Sequence, residues 1–448
     1  MKRIASIPVF EIEFDKSGKL FSPPQLAALQ AHLKSAGVTD LVVFAHGWNN
    51  DMTDARDLYT RLFTEIGGAL TAAAPRGIDG RKFAGAVTLW PSKKFTDKEL
   101  IPGGGAAALT KDELKAVRAQ LKGLAKDTVR LGRSTPASVA IRKKIERATA
   151  LLPTLDTDPK AQQRFVQIIR SLLSEKAADA DDGSKSFFKA QDAQLLQDLR
   201  ADVVVAQPVG SGGAASLGSL GSTGPGGAAG VLSDLGNSVV SGVRRLLNFT
   251  TYYQMKERAG TVGSKGVAPV LAQLRKTSPQ LKLHLVGHSF GGRVMTAAAD
   301  SATAAARPNS LTLLQAAYSH NGLAPKFDGK NDGFFRKVIA DRKVSGPILI
   351  TCTKNDRAVG IAYPLASRIS GVNAAALGDE NDPYGGIGRN GAMRTPEATK
   401  LTLLASGQPY ELAAGKVFNL NADAVITDHS DICKPHVAWA LLSSVATT

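Results

Sequence analysis

Cysteine, acidic residues and long apolar runs are all scarce in this chain. Only Cys352 and Cys433 occur among 448 residues, which excludes a disulfide framework and leaves two buried thiols in a reducing compartment as the plain reading. No apolar stretch reaches the roughly 20 residues that a membrane-spanning helix needs. The alanine-rich run at 297–306 is short and carries Asp300. Met1-Lys2-Arg3 could open an export signal, but Pro8, Glu11 and Glu13 break the apolar stretch behind it and no small-residue cleavage site follows. The expectation is a cytoplasmic protein, or one exported without a Sec signal peptide. Asp and Glu number 39 against 55 Lys and Arg, a net charge of +16. Much of that excess falls between Lys93 and Lys189, interleaved with apolar residues at helical spacing. A solvated helix surface accounts for it, and an anionic membrane surface is the partner it would otherwise suit. No nucleic acid is expected, because no binding motif accompanies the charge.

What is present divides into three zones. In residues 1–95, alternating residues from Pro8 to Phe14 read as an early strand, with a turn at Lys16-Ser17-Gly18-Lys19. The continuous apolar run Leu41-Val42-Val43-Phe44-Ala45 fits a strand buried on both faces. Leu58, Leu62 and Ile66 trace a helix face, and Phe83 to Trp90 reads as a further buried strand. Residues 96–248 look different. Thr110 and Glu113 form a capping box ahead of Leu114, Val117, Leu121 and Leu124. Helical faces follow at Ile141, Ile145 and Ala148, then at Phe165, Ile168, Ile169 and Leu172. A Gly/Ser/Ala stretch near 208–230 is too poor in large side chains to pack, and an apolar stripe returns through Leu235, Val239, Val243 and Leu246. This zone is read as a helical insertion. From 249 to 448, strands at 281–286, 311–317, 348–353 and 417–421 alternate with helices, which predicts a mostly parallel sheet covered on both faces.

The chemistry concentrates at Leu283-His284-Leu285-Val286-Gly287-His288-Ser289-Phe290-Gly291-Gly292. A buried strand runs through Gly-x-Ser-x-Gly into a helix of small residues. A nucleophile on so sharp a turn needs Gly287 and Gly291, because a Cβ at either would clash. The helix start adds positive potential where an oxyanion forms. Serine needs a base, and the base an acid. With the order Ser, acid, His, each after a later strand, Asp356 follows the strand ending near Thr353 and His429 follows the one ending near Asn421. His436 is the positional rival, but it opens the apolar stripe of the last helix. The oxyanion donors are the N–H of Phe290 and, in Ala45-His46-Gly47-Trp48-Asn49-Asn50, the N–H of Trp48 after the turn at Gly47. His46 is read as bracing this loop by hydrogen bonding. The acidic, glycine-rich stretch from Gly378 through Asp379 and Asp382 to Gly386 is dense enough in oxygen for calcium but fits no EF-hand spacing, so an ordinary loop is expected.

These pieces resemble the α/β-hydrolase superfamily of esterases and lipases. More closely, they are similar to a bacterial branch with a His-Gly-Trp or His-Gly-Tyr turn followed by Asn-Asn, a Trp-Pro-Ser strand end (here Trp90-Pro91-Ser92) and Gly-His-Ser-Phe-Gly-Gly. The likeness covers Leu41 to Ser92 and about Tyr252 to Leu442. It implies the α/β-hydrolase fold, a serine triad and ester-type substrates. The expected substrate is a small-molecule or lipid ester, and no metal or cofactor is expected. Two other readings carry forward: a membrane-active phospholipase, and a non-catalytic binding protein on a hydrolase scaffold. The stripe from Val231 to Leu247 is either a lid on a flexible tether or a core helix.

Overall fold

The computed structural model describes residues 1–48, 50–72, 74–92, 111–175, 178–200, 239–356, 358–359 and 384–448. The strands are β1 (Lys2–Ile4), β2 (Ile7–Glu13), β3 (Asp40–Ala45), β4 (Phe83–Leu89), β5 (Lys126–Arg130), β6 (Arg133–Pro136), β7 (Lys282–His288), β8 (Ser310–Leu314), β9 (Ile348–Cys352), β10 (Ala398–Thr402) and β11 (Val417–Asn421). Nine of them form one sheet in the order β1-β2-β4-β3-β7-β8-β9-β11-β10, while β5 and β6 form a separate hairpin. Within the large sheet only the β1–β2 pair is antiparallel.

The helices are α1 (Pro23–Ser35), α2 (Met52–Ala72), α3 (Lys111–Leu124), α4 (Val139–Leu151), α5 (Pro159–Arg170), α6 (Ser184–Lys189), α7 (Asp192–Arg200), α8 (Val239–Val262), α9 (Ala268–Thr277), α10 (Phe290–Ser301), α11 (Arg336–Ala340), α12 (Ile387–Asn390) and α13 (Pro435–Ala446). Because successive strand side chains point to opposite faces, the apolar runs feed two cores. Leu41, Val43, Leu283, Leu285, Leu311 and Leu313 join one cluster with α1, α3, α5, α7, α8 and α10. Val42, Phe44, Val286, Leu314 and Leu349 join another, covered by Leu58, Leu62 and Ile66 of α2 and by Val437, Leu441 and Leu442 of α13. This is an α/β protein with a largely parallel central sheet flanked by helices.

One switch in strand order falls between β3 and β7. Left of β3 the sheet continues to β4 and β2; right of β7 it continues to β8, β9 and β11. In open parallel sheets the carboxyl ends of the strands at such a switch point are where ligands bind.

Several sequence expectations need adjusting. The zone at 96–248 is not wholly helical, since Lys126–Arg130 and Arg133–Pro136 pair as a hairpin. Position 248 lies inside α8, a single helix of 24 residues. The stripe residues Val239, Val243, Leu246 and Leu247 are buried in the core, where α8 packs on α7 and α10, so this part of the stripe is a core helix and not a mobile lid. The Gly/Ser-rich stretch near 208–230, the capping residue Thr110 and the acidic loop around Asp379 and Asp382 lie outside the described residues. No helix among the described residues is long and apolar enough to cross a membrane.

Candidate active site

Ser289 sits directly after β7 with φ 55° and ψ −125°, a conformation that costs a side-chain-bearing residue about 1–3 kcal/mol. The surroundings hold it there. Its N–H donates to the Leu314 carbonyl at 3.0 Å, and its own carbonyl accepts from Gly292 at 2.9 Å and Ala317 at 3.0 Å. The flanking glycines are sterically required. A Cβ on Gly287 would lie 2.3 Å from the Gly291 carbonyl oxygen, and one on Gly291 would lie 2.0 Å from that of Ala45. Ser289 is 6% exposed, so one edge of the residue reaches solvent.

Asp356 and His429 come together at the same end of the sheet. Asp356 follows β9 and is fully buried; its Oδ1 accepts from the Val359 N–H at 2.9 Å. Its Oδ2 lies 2.8 Å from His429 Nδ1. This fixes the imidazole with Nδ1 toward the carboxylate and turns Nε2 away from it. The loops that carry Asp356 and His429 are also laced to each other. Thr353 Oγ1 donates to Asp423 at 3.0 Å, and Asn355 Nδ2 donates to the Ile426 carbonyl at 2.8 Å. His436 opens α13, half-buried and remote from these contacts.

The loop after β3 presses against Ser289 from the other side. A Cβ on Gly47 would stand 2.7 Å from Ser289 Cβ and 3.2 Å from its Oγ, so only glycine lets the backbone of His46 to Trp48 approach this closely. The N–H groups of Trp48 and Phe290 are engaged in none of the described backbone hydrogen bonds, and Phe290 opens α10, where helix N–H groups lack internal partners. His46 is buried, its Nδ1 3.0 Å from the Gly47 carbonyl oxygen. Burial pushes its pKa down to about 4 against the pull of that carbonyl, so it is neutral and structural.

The Trp-Pro-Ser segment turns out to be a brace. Trp90 stacks on His46 at 5.8 Å and donates its Nε1–H to the His46 carbonyl at 2.9 Å; Ser92 Oγ donates to the Asn50 carbonyl at 3.0 Å. Asn50 Nδ2 in turn donates to the Gly47 and Trp48 carbonyls, each at 3.1 Å. Arg258 of α8 anchors the far side through the Pro91 carbonyl at 2.7 Å. The signal for these roles was the co-occurrence of the two short motifs; their mutual hydrogen bonding was not readable from either one alone. Trp48, Phe290 and Tyr252 form an aromatic wall, with ring centroids 6.1 Å apart for Trp48–Phe290 and 5.1 Å for Tyr252–Phe290.

Behind α10 lies an ionic cluster that reading along the chain overlooked. The carboxylates of Asp179, Asp181 and Asp182 are buried within 4.8 Å of one another. Lys256 Nζ reaches Asp179 at 2.7 Å and also contacts Asp182, while Arg293 of α10 pairs with Asp179 at 3.0 Å. Burial raises the pKa of Asp179, but the charges of Lys256 and Arg293 outweigh it and hold the carboxyl low. Burial and then the charges of Asp182 and Asp179 push Asp181 the other way. Two cations already occupy this cluster, which ties α8 and α10 to the 179–184 segment.

A second Ser–His–Asp set lies at the opposite end of the sheet. His284 Nδ1 is 2.9 Å from Ser310 Oγ, and His284 Nε2 is 2.9 Å from Asp40 Oδ1. All three residues are at most 1% exposed. Asp40 is further paired with Arg81, whose Nε donates at 2.8 Å. No protein-family model, curated protein or solved structure matches this chain.

Proposed function

We propose that this protein is a serine hydrolase of the α/β-hydrolase type that cleaves carboxylic esters through an acyl-enzyme. The observation that carries the reading is the 2.8 Å contact between His429 and the fully buried Asp356, at the same end of the sheet as the strained Ser289. His429 Nε2 takes the Ser289 proton as Oγ attacks the ester carbonyl, and Asp356 stabilises the imidazolium that results. The N–H groups of Trp48 and Phe290 hold the developing oxyanion. His429 returns the proton to the departing alcohol, and a water activated by the same imidazole then releases the acid. The wall of Trp48, Phe290 and Tyr252 offers an apolar surface beside the scissile bond, which suits esters with a hydrocarbon portion. Helices α3 to α7 form a helical excursion on the sheet face that carries this wall.

One observation favours a membrane-surface variant of this reading. Arg142, Lys143, Arg147, Lys160 and Arg164 are exposed on α4 and α5, and Val139 is 57% exposed beside them. Such a surface attracts anionic lipid. Hydrolysis of a p-nitrophenyl ester series, from acetate to palmitate, tests the enzyme reading. Turnover should occur for some chain length and vanish in Ser289→Ala; residual activity within tenfold of the parent would overturn it. Vesicle binding that weakens as salt rises would add the lipid surface.

A further inference from the structure

We infer that His288 is a positioning residue for the base: its Nε2–H holds the main chain of His429 and thereby sets where the catalytic imidazole stands. The inference rests on reading Ser289, His429 and Asp356 as the triad.

His288 ends β7, immediately before the nucleophile, and is 4% exposed. Its Nε2 lies 2.8 Å from the His429 carbonyl oxygen. A carbonyl can only accept, so Nε2 carries the proton and Nδ1 is the bare nitrogen. Nδ1 is buried and makes no hydrogen bond. It faces the Gly47 backbone, where a Cβ would stand 3.3 Å away. The two imidazoles lie face to tilted face, centroids 4.9 Å apart at 42°. His288 is thus wedged between the base loop and the oxyanion loop.

The base loop needs such an anchor. Asp428 and Ser430 bond only within their own loop: Asp428 accepts from the N–H groups of Ser430 at 2.8 Å and Asp431 at 3.3 Å. Among the described residues, two hydrogen bonds tie residues 428–430 to the rest of the protein, and both belong to His429. One is its side chain on Asp356 and the other its carbonyl on His288. With the first alone, the imidazole could pivot about the carboxylate as the main chain drifts. With both, ring and backbone are fixed together, and a misplacement of about 1 Å at a catalytic group costs on the order of 100-fold. His288 also remains a neutral donor through the cycle. Burial, and then the charge of His429, lowers its pKa to about 3, so it does not compete for the Ser289 proton.

The test compares His288→Leu, His288→Gln and His288→Asn in the full chain. Glutamine carries an amide N–H near the place of Nε2, whereas asparagine stops short and leucine has no donor. We expect kcat for p-nitrophenyl butyrate to fall about 100-fold in the Leu and Asn variants, with KM within about threefold of the parent. Glutamine should recover kcat to within about tenfold. Hydrogen exchange of the 427–433 peptide should speed up in the Leu and Asn variants while peptides from β7 and β8 stay protected. Leu and Gln variants equally impaired, or both within threefold of the parent, would overturn the inference. Unchanged exchange at 427–433 would overturn it too, and that readout needs no activity. Failure of the triad reading shows elsewhere, as parental turnover that survives Ser289→Ala.

Discussion

Strand β7 contributes to two Ser–His–Asp sets. Near its start, His284 joins Ser310 and Asp40; past its end, Ser289 faces the loops that bring His429 and Asp356. By hydrogen bonding alone the first set is the more complete, with both contacts at 2.9 Å. It nevertheless lacks what chemistry requires. Ser310 sits in a regular strand with no positive φ, the whole set is sealed from solvent, and Arg81 already neutralises Asp40. Burial drives the His284 pKa down despite the adjacent carboxylate. Hydrogen bonds from Arg81 and His284 hold Asp40 well below the usual carboxylate range against its own burial. The amino-end set is a clasp joining β3, β7 and β8. The carboxyl-end set has a strained serine and a partly exposed imidazole, lies beside two N–H groups that make none of the described backbone hydrogen bonds, and stands at the switch in strand order between β3 and β7. A constellation of residue types becomes a site through strain, access and position in the sheet.

The sharpest way to break this comparison is to truncate both serines and both histidines. Ser289→Ala and His429→Ala should each lower kcat by on the order of a millionfold, a magnitude drawn from subtilisin, the first without loss of stability and the second with some, because it orphans the buried Asp356. Ser310→Ala and His284→Ala should leave kcat within about threefold but cost about 1–3 kcal/mol in urea unfolding, because buried partners are orphaned. His436→Ala should behave like the second pair. Reversed outcomes would mean the two sets have been exchanged. The acids sharpen the contrast. Asp356→Asn should reduce kcat by roughly 10⁴-fold, the loss seen when a triad acid can no longer fix its histidine tautomer. Asp40→Asn should spare kcat and destabilise by about 3–5 kcal/mol, since it leaves Arg81 without its counter-charge.

A smaller effect concerns the buried histidines His46 and His288. His46 and His288 have pKa values lowered to about 4 and about 3. Above pH 6.5 neither state binds the proton, and their contribution to stability is complete. As pH falls from 6.5 toward 3 the unfolded chain takes protons that the folded one refuses, so stability declines by up to about 1.4 kcal/mol per pH unit for each histidine. His46→Gln should make the pH dependence of urea unfolding between pH 7 and 5 shallower. An identical slope in the variant would show that His46 is not held neutral by burial.

The smallest prediction concerns strain. Glycine tolerates the Ser289 backbone angles that alanine does not. Ser289→Gly should therefore be more stable than Ser289→Ala by about 1 kcal/mol, after glycine's extra unfolded-state entropy is set against the relief. Equal stabilities would remove the strain argument.

Much of this was legible in the residues because local rules speak loudly there. Gly287, Ser289 and Gly291 mark the elbow through sterics that span only five positions, and the apolar runs at Leu41 and Leu283 announce buried strands. The placement of Asp356 and His429 followed from which strands end before them. Long-range polar contacts left no such trace. His284 meets Asp40 across 244 positions, and nothing periodic links them. The Asp179, Asp181 and Asp182 cluster reads as a solvated acidic turn until Lys256 and Arg293, far along the chain, arrive to bury it. The hairpin at 126–136 escaped because its Lys and Arg side chains mimic a charged helix surface, and β10 because it is an exposed edge strand with weak alternation.

The account turns on Ser289 being the one activated serine, and fluorophosphonate labelling followed by peptide mass spectrometry tests that most directly. The prediction is one adduct per chain, on Ser289, formed at least a thousandfold more slowly in His429→Ala, with Ser310 unmodified. A chain that takes up no label, or takes it at another serine while Ser289 stays free, would contradict it.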